Sequence, residues 1–98
     1  MISFEEIQLF TWKSLGFSEQ ETKLFQTYEG FEEALSFYFN EMLQTDFSTF
    51  VQLLYRLDVS ESKLKTALQY ATEPTGKVVA QLVIQRMEEK LKYRKGLE

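Results

Sequence analysis

An all-α fold is what this sequence predicts: a compact bundle of five or six short helices, the last of them longer and more basic than the others. Three observations lead there. Residues able to cap a helix recur at Ser3, Ser18, Asp46 and Ser60. Apolar side chains then return at steps of three and four, the repeat of a helix face. No stretch alternates apolar and polar residues between hairpin turns, so no strand is expected.

The first helix is expected over residues 4–15. Ser3 stands three residues before Glu6, so hydroxyl and carboxylate can cap each other's backbone amides, and Ile2 can staple onto Ile7. Gly16 supplies the stop. Ser18 and Glu21 repeat the capping pattern and predict a second helix from about residue 19. Along it Leu24, Tyr28, Phe31, Leu35, Tyr38 and Met42 keep helical spacing, with Phe39 widening the stripe. Gly30 interrupts that register and is expected as a tight junction or a mild bend.

Asp46 caps a helix whose apolar positions are Phe47, Phe50, Val51, Leu54 and Leu57, broadened by Leu53 and Tyr55. Asp58-Val59-Ser60 reads as a short connection, and Ser60 caps the next helix, to about Ala71. Its stripe of Leu64, Ala67, Leu68 and Ala71 includes two small residues, which favours close approach to a neighbour. Pro74 suits a first helical turn and Gly76 weakens it. From Lys77 to Lys95 the chain again favours helix. Residues 1–95 are thus expected to form one domain. Gly96-Leu97-Glu98 has no packing periodicity and is expected as a tail, its last two residues resembling a cloning remnant.

Composition narrows function more than it names it. The 98 residues include no cysteine and no histidine. Disulfides, thiolate nucleophiles, a Ser-His-Asp triad and imidazole or thiolate metal sites are excluded within this sequence. No apolar run reaches the roughly 20 residues needed to span a bilayer, and Met1-Ile2-Ser3-Phe4-Glu5-Glu6 does not open like a secretory signal. A cytoplasmic location is the expectation. The net charge of -4 is unevenly spread. Residues 1–50 hold nine acids against two lysines, whereas residues 51–98 hold nine bases against six acids. Such polarity is either an ordinary solvated surface or a means of pairing head to tail or orienting a partner.

Three places could form a working surface. The first helix is apolar nearly all round: Phe10 and Trp12 either cross the bundle centre or anchor an intermolecular contact. Phe37 lies away from the main stripe of its helix, between Glu33 and Glu41, and either packs as a satellite of the core or helps a partner dock. The last helix begins apolar and ends basic. Val79, Val83, Met87 and Leu91 could form an antiparallel dimer seam, while Lys90, Lys92, Arg94 and Lys95 could contact phosphates, with Tyr93 stacking on a base. Dipole complementarity and the Glu88–Lys92 spacing explain the same residues without a ligand.

Catalytic motifs are absent or accidental. Ser60-Glu61-Ser62-Lys63 places a serine one turn from a lysine, but Ser60 is accounted for as a cap. Thr75-Gly76-Lys77-Val78 lacks the earlier glycine and the hydroxyl of a phosphate loop. The pair of helices around Asp58 does not suit DNA reading, because Glu61 stands where the second helix would enter a groove. Glu29, Glu32 and Glu33 look like outward residues rather than a metal cage. The expectation is a small non-enzymatic protein-interaction or self-association module without a cofactor; the alternative is a nucleic-acid-binding accessory protein using the basic final helix.

Overall fold

The computed structural model describes residues 1–96; Leu97 and Glu98, expected as tail, lie outside the described residues. Five α-helices follow one another among the described residues: α1 (Phe4–Ser14), α2 (Tyr28–Thr45), α3 (Phe47–Leu57), α4 (Glu61–Tyr70) and α5 (Thr75–Arg94). No strand occurs among the described residues. The all-helical expectation holds.

Local capping sets most boundaries. Ser3 Oγ accepts the Glu6 amide at 3.1 Å while Glu6 Oε1 accepts the Ser3 amide at 3.2 Å. At the other end of α1, Gly16 takes φ +95°. That left-handed step lets the Phe17 amide reach Trp12 O at 3.0 Å and the Gly16 amide reach Lys13 O at 3.0 Å. The Phe17 ring then seats edge-on against Trp12, centroids 5.0 Å apart. Asp46 serves two helices: its amide donates to Met42 O at the end of α2, and its carboxylate accepts the Thr49 amide at the start of α3. Ser60 Oγ caps α4 through the Lys63 amide at 3.2 Å.

The second helix departs from expectation. Ser18 and Glu21 do build a capping box, yet only a 3-10 turn, Glu19–Glu21, follows. The chain then runs without helix to Thr27, whose hydroxyl caps α2 by accepting the Gly30 amide at 3.0 Å. The physical cause lies on α1. Gln8, almost fully buried, donates its Nε2 to Phe25 O at 3.0 Å and accepts the Phe25 amide at Oε1, 2.7 Å away. Trp12 Nε1 donates to Lys23 O at 2.8 Å. These side chains satisfy backbone groups that a helix would have paired internally, and so hold the segment open against α1. Gly30 is not a junction between helices; it sits in the first turn of α2. Leu24 lies outside the helical stripe.

Helices α2 and α5 form the spine. Phe31, Leu35 and Phe39 from α2 meet Val79, Ala80, Val83 and Met87 from α5, all with at most 1% exposure. Gly76 explains how closely the two helices cross. A Cβ there would stand 2.3 Å from Asn40 Oδ1 and 2.6 Å from the Ser36 carbonyl oxygen, and the Gly76 amide donates to Asn40 Oδ1 at 3.0 Å. The glycine is thus a packing requirement of the crossing rather than a weak turn. Pro74 stands one place earlier than expected, at the N-cap of α5.

Around this spine α1 packs on α5, α3 on α2 and α4 on α5. Rings from Phe4, Phe31, Trp12, Phe17, Tyr38, Phe39 and Phe50 follow one another through edge-on contacts of 5.0–6.2 Å. That succession joins α1, α2 and α3 and accounts for the aromatic richness of residues 1–50; each such pair adds about 0.5–1.5 kcal/mol beyond area burial. The radius of gyration is 13.2 Å, close to the roughly 13 Å of a globular chain this long. Among the described residues no helix is long and apolar enough to cross a membrane.

Candidate functional site

The amphipathic pattern of α3 carries two apolar arcs, and the fold uses one. Phe50, Leu53, Leu54 and Leu57 turn into the core. Phe47, Val51 and Tyr55, one turn apart along the adjoining flank, remain 61%, 50% and 88% exposed. The expected single buried face of this helix is therefore corrected: Phe47, Val51 and Tyr55 belong to the surface because the inner arc already fills the space against α2.

Opposite this flank stands α4. It buries none of its residues fully, so its stripe with two small members does not give a tight contact. Leu64 is half-buried and Leu68 is exposed. Between the helices lies a groove of about 470 Å³, walled by Phe47, Val51 and Tyr55 on one side and by Leu64 and Leu68 on the other. Val79 at its floor belongs to the core. Glu61 and Lys65 sit on the rim, paired with each other at 3.3 Å and both exposed. The groove is thus a strip of apolar surface with a charge-balanced edge.

A second groove, of about 800 Å³, separates α1 from the end of α5. Here the helices run in opposite directions: Glu6 pairs with Lys95, Phe10 lies under Arg94, and Ser14 borders the same space as Arg86. The Arg94 guanidinium sits 5.1 Å from the Phe10 ring centroid, a cation–π contact. Arg86 is committed elsewhere. Its Nε donates to Asp58 O at 3.0 Å and its Nη2 to Asp58 Oδ2 at 2.8 Å, clamping the left-handed residue, φ +61°, that closes α3. Burial, followed by the positive charge of Arg86, holds the Lys90 ammonium pKa below its usual value.

The expected interface residues separate accordingly. Trp12 is 6% exposed and hydrogen-bonded within the chain, so it is a core residue and not an intermolecular anchor. Val79, Val83, Met87 and Leu91 are likewise buried against α1 and α2 instead of forming a dimer seam. The reason is one of supply: α5 is the central helix, and its apolar side is consumed by its own chain. Phe10 is half-buried beneath Arg94, and Phe37, at 69% exposure, stands free. Of the expected anion contacts, Lys90 and Arg94 border the α1–α5 groove, Lys95 is tied to Glu6, and Lys92 does not line that groove.

Sequence reasoning did not single out Phe47, Val51, Tyr55 or Leu68. The signal available was the surplus on α3, whose four inner residues alone complete a helix face. Among the described residues no group of three or more acidic side chains comes together in a way that could hold a metal ion. Comparison with known protein families, curated proteins and solved structures finds no match.

Proposed function

We propose that this protein is a non-enzymatic interaction module that receives an amphipathic helix of a partner protein in the groove between α3 and α4. A cytoplasmic location belongs to the same reading. One observation carries it: Phe47, Val51 and Tyr55 form an exposed apolar row at one-turn intervals, facing Leu64 and Leu68 across an open groove. A helix laid there presents apolar residues at steps of three and four, the pattern by which helix-in-groove contacts are read. The aromatic ends of the row, Phe47 and Tyr55, are side chains of the kind that anchor protein interfaces. The balanced Glu61–Lys65 rim demands no strong charge of the partner.

The test is a display selection of helical peptides on the wild-type protein, with counter-selection on Val51→Glu. Val51 is half-exposed, so this change costs about 1 kcal/mol of stability, too little to unfold the domain. Enriched peptides with apolar residues at helical spacing, losing at least about tenfold in affinity on the variant, support the reading. Binders that ignore the substitution, or a selection that enriches none, contradict it.

A further inference from the structure

The molecule also carries two surfaces that complement each other, both distinct from the α3–α4 groove. On the outer side of α2, Glu33, Phe37 and Glu41 follow at four-residue steps, all exposed. Phe37 is the most exposed aromatic of its helix, at 69%, and α2 contains four glutamates and no lysine or arginine. On α5 the opposite pattern holds. Arg86, Lys90 and Arg94 follow at the same four-residue steps along the α1–α5 groove, with Glu89 the one acid bordering it. Each row therefore spans about 12 Å, at roughly 1.5 Å per residue.

Neither Lys90 nor Arg94 makes an ion pair among the described residues. An acidic ridge with an aromatic centre meets what both lack, a carboxylate partner, and adds a ring face for the Lys90 ammonium, Arg94 already resting on Phe10. This chain contains such a ridge: with Arg86 held by Asp58 and Glu89, one of its carboxylates reaches Arg94 and the ring one turn away reaches Lys90.

We infer that a second copy of this chain docks its Glu33–Phe37–Glu41 ridge into the basic α1–α5 groove. A polyanion such as nucleic acid is the less favoured occupant, because it is negative along its whole length and meets a chain of net charge -4, whereas a second copy, of that same net charge, presents its acid only where the ridge meets the basic groove. The two surfaces lie on different flanks of α1. Phe10 borders the groove and Trp12 the hollow beside Phe37, about 200° apart around the helix at roughly 100° per residue. Pairing a ridge with a groove consequently leaves one of each unused. The association is head to tail and continues with added copies.

Sedimentation equilibrium of the whole chain tests this. The mass-average molecular weight should rise with concentration at low salt, and association should weaken at least about tenfold in roughly 0.5 M NaCl, where exposed charges are screened. Lys90→Ala/Arg94→Ala keeps only the ridge, and Glu33→Gln/Phe37→Ala/Glu41→Gln keeps only the groove. Each alone should be monomeric, and mixed together they should give a one-to-one dimer that grows no further. A folding defect could not produce that recovery. A wild-type chain monomeric at about 1 mM in low salt overturns the inference. So does association that survives both variants, or that is abolished by Val51→Glu instead, or variants that stay monomeric when mixed.

Discussion

Replacing Gln8 by methionine removes the clamp that keeps residues 22–27 out of helix while preserving side-chain length. Two hydrogen bonds are lost, from Gln8 Nε2 to Phe25 O at 3.0 Å and from the Phe25 amide to Gln8 Oε1 at 2.7 Å. Each contributes about 1 kcal/mol net, and the part-buried Phe25 backbone groups lose their partners as well, so the expected loss is roughly 2–4 kcal/mol. Against a total stability of about 5–15 kcal/mol that is a large fraction. Even the lower figure lowers Tm by roughly 8–16 °C in a domain of this size. Thermal unfolding measures the size of the effect, and hydrogen exchange measures its place: the Phe25 amide should lose its protection well before those of α2 and α5. A variant within about 2 °C of wild type, with the Phe25 amide still protected, would refute the clamp.

Three further outcomes follow from the geometry. Gly76→Ala gains about 1 kcal/mol of helix propensity. Its Cβ, however, meets Asn40 and the Ser36 carbonyl oxygen, so an overpacking cost of about 1–3 kcal/mol outweighs that gain and leaves a net loss of up to about 2 kcal/mol, read as a lower urea midpoint at unchanged slope. In acid, Glu6, Glu21 and Asp46 matter because their pKa values are lowered on folding: Glu6 first by Lys95, Glu21 by the Ser18 amide, and Asp46 by Thr49. A lowered folded pKa means the unfolded chain binds protons more readily. Stability should therefore be complete above the ordinary values of 4.5 and 3.8 and fall as pH drops through them. Urea midpoints that stay constant to about pH 2 would contradict this. Trp12, enclosed and hydrogen-bonded, should emit at short wavelength and resist acrylamide until the chain unfolds.

What the sequence revealed and what it concealed divide by range. The caps at Ser3, Asp46 and Ser60 were legible because each bond spans three residues. The open segment before α2 was not, because Gln8 holds Phe25 from 17 residues away and an identical local capping pattern at Ser18 gives only a 3-10 turn. The apolar run of α5 was plain, but its partner was not. Val79, Val83 and Met87 suit a dimer seam or an internal spine equally well until Gly76 is seen to seat α5 against Asn40 and Ser36. On α3 the error ran the other way. Phe47, Val51 and Tyr55 look like core by residue type, and only the packing of α3 on α2 shows that their arc is left outside.

The central claim is that the α3–α4 groove is where this protein meets its partner. Backbone amide NMR shifts, recorded while a selected helical peptide is titrated in, test it most directly. The account predicts that Phe47, Val51, Tyr55 and Leu68 shift together while Phe37 and Arg94 stay in place. Shifts confined to the α1–α5 side, or spread without focus over the surface, would contradict it.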